Sequence, residues 1–344
     1  MRGIRRHNLS RFLQSRVFMA LVKVLPWMVS FYFLWLVTML YFLLNREDRR
    51  IVRKNIHEVF GKSRSSRELD GLFWATLKGI FRHYFEKLFL ACTTDRQWQD
   101  YFKKKIRISG RRHLDRFFLK RKGVILVTAH FGAVEFLPGF LTLLGYPVAI
   151  IAKFKTRRLR EKCREQAAKV GARIIDASEP NSFFSALCAL KEGRVLITEC
   201  DEVECWKPYP GRSIPLFGTS FQVDRILTIL QRRSGAPVVF GYVRREEKGR
   251  YVAEIENLRQ PGGAMPDGLA EAVLKKFERL VYTHPDQWYI WKNFQRMKVS
   301  GREGVTGEDR EGDRLSVKAS PGSIIQPLRG FPQLHGQYCC QTPV

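Results

Sequence analysis

The stretch Val124–Leu141 reads VILVTAHFGAVEFLPGFL. Its first five residues are apolar or β-branched with no polar alternation, the pattern of a strand buried on both faces. Pro138 fits only the first turn of a helix, so Glu135 is expected in the entry turn of the segment that follows. Three more runs share the strand texture: Val148–Ala152 (VAIIA), Val195–Thr198 (VLIT) and Val238–Val243 (VVFGYV). Between them, helical spacing recurs over Leu137–Leu144, Arg157–Val170, Ser182–Lys191 and Gln222–Arg233. Buried strands alternating with helices predict an α/β fold, a mostly parallel mixed sheet flanked by helices, over residues 103–297. Arg250–Glu256 reads as an edge strand. Asp267–Tyr282 reads as a helix with Asp267 as N-cap and Pro285 just past its end.

Upstream, Leu25–Leu44 is twenty residues without a charge. Twenty helical residues rise about 30 Å, roughly one hydrocarbon core, so residues 25–44 predict an N-terminal hydrophobic membrane helix. Residues 1–24 form a basic N-terminus with Arg2, Arg5, Arg6, Arg11, Arg16 and Lys23, and Arg46, Arg49, Arg50, Arg53 and Lys54 follow the segment. Both flanks satisfy the positive-inside rule, which leaves two arrangements open: a span, or a helix lying in the cytoplasmic leaflet. Residues 45–102 read as a helical, membrane-proximal region, with apolar residues at helical spacing from Leu69 to Phe89. Residues 298–344, rich in Gly, Ser, Pro and charge beyond Ser300, predict a disordered tail.

The chain has 344 residues, a net charge of +27 and 45% hydrophobic residues, which excludes a wholly disordered protein and points to an anionic partner. Six Lys/Arg face five Asp/Glu from Lys298 onward, so nearly all the excess charge lies before it. Seven scattered cysteines, with no CxxC pair, argue against a disulfide framework or a zinc site and suit a reducing compartment. Cys200 and Cys205 flank an acidic stretch but have no nearby histidines in the sequence. No RNP, KH, zinc-finger or glycine-rich arginine motif supports nucleic acid as the partner.

Chemistry is best placed in the loop after the Val124–Thr128 strand, where His130 and Glu135 stand in HFGAVE. Strand ends and helix starts converge in such loops. A carboxylate reaching one imidazole nitrogen fixes the tautomer and leaves the other nitrogen as a base. Gly132 gives a substrate room to approach the backbone.

In this region the chain resembles the lipid A biosynthesis acyltransferases (the lauroyl/myristoyl, HtrB-type branch), which carry an HxxxxD/E motif. The likeness runs over about residues 15–297. It includes RKNIHEVFG (Arg53–Gly61), HFGAVE, Val148–Lys153, the Asp201 region, GRSIPLFG (Gly211–Gly218), SGAPVVF (Ser234–Phe240) and HPDQWYIW (His284–Trp291). The resemblance implies transfer of a fatty acyl group from acyl carrier protein, or from CoA, to a hydroxyl of a lipid A precursor. The enzyme is then expected at the cytoplasmic side of the bacterial inner membrane, on anionic lipid. His130 and Glu135 are the implied catalytic pair, with Glu135 holding the imidazole. Backbone N–H groups around Phe131–Gly132, or Lys153, are the expected oxyanion donors. No metal or other cofactor is expected.

Candidate substrate-binding residues are Lys153, Arg157, Arg158, Asp201 and Gly218. Lys153 is alternatively a solvated strand-end lysine, and Arg157 and Arg158 a solvated helix face. Asp201 either orients a partner or makes a structural salt bridge, and Gly218 also suits a turn. Trp288, Tyr289 and Trp291 could line an acyl groove, though core packing is their ordinary role. Two departures weaken the acceptor assignment: Lys292-Asn293-Phe294 replaces the family's His-Arg-Arg, and TSFQVDRIL follows where small residues and threonines are usual. A lysophospholipid, an ornithine-type lipid or a mannosylated inositol lipid are the other acceptors. Outside the enzyme class stand a membrane-tethered nucleic-acid-binding protein and an inactive scaffold.

Overall fold

The computed structural model describes residues 27–118, 123–154, 156–258 and 268–299. Seven strands form one sheet in the order β1-β9-β8-β2-β5-β3-β4. These are β1 (Ile106–Ser109), β2 (Val124–Thr128), β3 (Val148–Ala152), β4 (Arg173–Asp176), β5 (Val195–Glu199), β8 (Val238–Arg245) and β9 (Tyr251–Asn257). Every pairing is parallel except β8 with β9. Alternate residues of each strand feed two different cores: Ile125, Val127 and Leu196 pack on one face, and Val124, Leu126, Val195 and Ile197 on the other. The strand runs therefore lack polar alternation because both faces are covered.

The helical spacing from Leu69 to Phe89, which fits one helix or a helix pair, belongs to a single element, α3 (Ser66–Cys92), started by a capping box between Ser65 and Glu68. It packs with α1 (Trp27–Leu44) and α2 (Arg46–Phe60) beside the sheet. Two sequence expectations fail at the strands. The Arg250–Glu256 segment is not an edge: β9 lies between β8 and β1. Only the second half of Gln222–Arg233 is helical (Ile226–Ser234), because Thr219–Asp224 is strand β7, paired antiparallel with β6 (Pro208–Leu216). The helix Leu269–Thr283 begins after Gly268, and Asp267 lies outside the described residues.

The span expected over residues 25–44 is not found: among the described residues, no helix is long and apolar enough to cross a membrane. The eighteen residues of α1 rise about 27 Å. One stripe of it, Leu34, Thr38 and Phe42, is buried against protein, and Tyr41 donates to Asp48. Tyr32, Leu36, Leu40 and Leu43 stay exposed on the outside. At the other end, Val299 N–H donates to the Ser220 carbonyl and Lys298 bridges Phe221, so the folded body extends to these two residues. Residues 1–24 and 300–344 lie outside the described residues.

Candidate active site

Strands β2 and β5 run side by side with Thr128 opposite Glu199. Two residues beyond that pair, each strand delivers a reactive group: His130 from β2 and Asp201 from β5. The Asp201 carboxylate is fully buried and lies 2.9 Å from His130 Nδ1. It also accepts the His130 backbone N–H, and the Trp288 indole N–H at 2.9 Å. On the other ring nitrogen, Nε2 is 3.4 Å from Glu199 Oε2 and 3.6 Å from Glu202 Oε2. His130 Nε2 and a carboxylate oxygen from each of Glu199 and Glu202 all lie within 4.8 Å of one another.

Burial disfavours a charged imidazole, but Glu199, Asp201 and Glu202 outweigh it and push His130 up to about 10. Glu199 is itself raised to about 7, first by burial and then by the neighbouring carboxylates, against the pull of His130.

Glu135 is not the partner of the imidazole. It occupies the N-cap position of the helix Phe136–Leu143, in the αR conformation, and accepts from Lys87 Nζ of α3 at 2.8 Å. The correction follows from register: Asp201 comes across the sheet to Nδ1, whereas the entry turn carries Glu135 toward α3. Of the expected oxyanion donors, the backbone N–H groups are already engaged. Phe131 N–H donates to Ala129, Gly132 N–H to Gln287 and Ala133 N–H to Val243. Lys153 Nζ donates to Glu204 at 3.0 Å.

The loop is clamped from behind. Phe131 bridges Trp288, and Tyr289 N–H donates to the His130 carbonyl. Gly132 has φ +57°, and a Cβ there would sit 2.0 Å from the Val243 carbonyl oxygen, so only glycine fits. Its own carbonyl accepts from Arg245 Nη2, and the Arg245 guanidinium forms a buried bidentate pair with Glu86 of α3. The Tyr289 ring stacks on His83 at 3.7 Å and meets the His130 ring edge-on at 5.7 Å. Among the described residues its hydroxyl has no hydrogen-bond partner.

Of the other sequence candidates, Arg157 is exposed and paired with Glu161 one turn along its helix, and the Arg158 side chain lies outside the described residues. Gly218, at φ +72°, forms with Phe217 the two-residue turn of the β6–β7 hairpin. Trp288 and Trp291 are fully buried core residues. Sequence reading passed over Glu199, Glu202 and Lys87. The acidic run in ITECDEVEC, directly after an apolar strand, was the available signal for the first two. Beside Glu199 opens an apolar cavity of about 60 Å³, lined by Val127, Ile151, Trp206, Leu227, Leu230 and Leu274. That is several water volumes, more than a packing flaw.

The model of the bacterial lipid A biosynthesis acyltransferase family matches residues 8–296. No curated protein matches the chain.

Proposed function

The chain belongs to the bacterial lipid A biosynthesis acyltransferases, and from that premise we propose that it moves a fatty acyl chain from acyl carrier protein to a hydroxyl of a lipid A precursor, with His130 as general base. Asp201 keeps the proton on Nδ1 and aims Nε2 at the acceptor. As Nε2 takes the hydroxyl proton, the oxygen attacks the thioester carbonyl. The tetrahedral intermediate then collapses, breaking the C–S bond, and the imidazolium returns its proton to the departing thiolate. The Tyr289 hydroxyl, which has no hydrogen-bond partner among the described residues and whose ring meets His130 edge-on, is the donor we assign to the oxyanion. Glu135 and Lys87 anchor the loop to α3 rather than touching the ring.

The observation that carries this reading is the imidazole itself: it is held by a buried carboxylate on one side, and Glu199 on its other side lines the apolar cavity. An alkyl tail entering there gains about 0.8 kcal/mol per buried methylene. The exposed outer stripe of α1, next to Arg46, Arg50 and Lys54, suits the anionic surface of a membrane and hence the cytoplasmic side of the inner membrane.

The test offers the purified full chain both acyl carrier protein-linked and CoA-linked donors, against a Kdo-bearing lipid A precursor and lysophospholipids. Mass spectrometry of the products is expected to find the acylated lipid A precursor with the carrier-linked donor. Product on lysophospholipid alone would overturn the acceptor, and no product in any combination would overturn the reaction.

A further inference from the structure

The far side of the His130 ring has a geometry that a general base does not require. Nε2 stands 3.4 Å from Glu199 Oε2 and 3.6 Å from Glu202 Oε2. Both distances are long for a charge-assisted hydrogen bond, which closes to about 2.7–2.9 Å. They match instead the spacing between neighbouring ligands of a tetrahedral ion: bonds of about 2.0–2.2 Å place two such ligands about 3.4 Å apart.

The charge balance points the same way. Among the described residues, His130 is the only cation within 4 Å of Glu199 and of Glu202. Lys153 attracts Glu202 from farther away while donating to Glu204, and Lys87 pairs with Glu135. Both glutamates are about three-quarters buried, with side chains 26% and 28% exposed. Asp201 adds a third carboxylate behind the ring. Its bond to Nδ1 is the arrangement that orients a metal-bound histidine and strengthens its outer nitrogen as a ligand. One imidazole nitrogen and two carboxylate oxygens form a mixed N,O set of three. That set suits zinc and its transition-metal neighbours better than magnesium or calcium, which favour all-oxygen shells.

We propose that His130 Nε2, Glu199 and Glu202 bind a divalent transition-metal ion of the zinc type, and that its occupancy silences acyl transfer by engaging the lone pair the reaction needs. The site was not foreseen in the sequence, where the metal question attached to the cysteines. The inhibitory half rests on the proposed role of His130 as base; the binding half does not. A proton and the metal compete for Nε2, so binding tightens as pH rises.

The full chain, freed of metal with a chelator and without substrates, is titrated with zinc against a chromophoric chelator. In parallel it is titrated with cobalt, whose visible absorption reports the coordination. One ion per chain is expected, bound at least tenfold more weakly in Glu202→Gln and not at this site in His130→Ala. The surface variant Asp70→Asn should bind as the parent does. In the acyl-transfer assay, zinc should inhibit the parent reversibly, and tenfold more zinc should be needed for Glu202→Gln. Absence of stoichiometric binding, or equal affinity in Glu202→Gln, overturns the site; faster transfer with zinc overturns the silencing. Transfer without metal binding defeats this inference and leaves the proposed reaction standing. Metal binding in a protein that transfers no acyl chain does the reverse.

Discussion

Asp201 lies 2.9 Å from His130 Nδ1 and also accepts the backbone N–H of the same histidine, so one carboxylate fixes both the ring and the peptide that carries it. The indole of Trp288 completes its hydrogen bonding inside the core. Asp201→Asn preserves the shape but removes the charge that stabilises the imidazolium, and its amide can present a donor to Nδ1 and impose the wrong tautomer. We expect kcat to fall by about 10²–10⁴, the usual worth of general-base catalysis, with KM little changed and the circular dichroism intact. Equal kcat in the variant would remove Asp201 from the mechanism.

Glu135 offers the sharpest contrast, because the HxxxxE spacing alone would give it that role. Its carboxylate meets Lys87, whose side chain is half exposed, in a pair worth under about 1 kcal/mol. Glu135→Gln is therefore expected to cost at least tenfold less in kcat than Asp201→Asn, and Lys87→Met to resemble Glu135→Gln. Steady-state kinetics on the three variants decide it. A greater loss at Glu135 would return the imidazole-holding role to that residue.

The pH dependence follows from the carboxylates around Nε2. His130 works as a base only when neutral, and the neighbouring acids hold it protonated up to about 10. The acyl-transfer rate should accordingly climb with pH through the range 6–9, by close to tenfold per unit, rather than level off near 7. Glu199→Gln removes one of the charges that favour the imidazolium, so its profile should level off at lower pH than the parent's. Initial rates in overlapping buffers measure both. A flat parent profile would mean that proton removal by His130 does not limit the reaction.

The sheet was legible in the sequence because its central strands are buried on both faces and announce themselves as unbroken apolar runs; VILVT and VAIIA match β2 and β3 residue for residue. The β6–β7 hairpin is not, since three prolines and a glycine interrupt β6, and the last three residues of TSFQVD fall within the helical spacing that runs from Gln222. The period of two was present there: Phe221 and Val223 are buried while Ser220 is exposed. His130 was legible from its place after a strand. Its partner was not, because Asp201 is 71 residues away and is brought opposite only by the parallel register of β2 with β5. Local spacing favoured Glu135, whose direction depends on a helix entry turn.

The buried pair behind the loop yields a prediction that separates stability from catalysis. Arg245 donates through Nε and Nη2 to both oxygens of Glu86, at 2.7 and 2.8 Å, with both side chains almost wholly enclosed. Removing one partner strands the other charge in the core, so Glu86→Ala should destabilise the protein by about 3–5 kcal/mol in urea unfolding. Adding Arg245→Met removes the stranded charge and should recover most of that loss, since apolar replacements of buried pairs are often neutral. Activity should not recover with it. Arg245 Nη2 is also the donor to the Gly132 carbonyl, and without it the turn that presents His130 loses its brace. A double variant restored in both stability and kcat would show that the brace is dispensable.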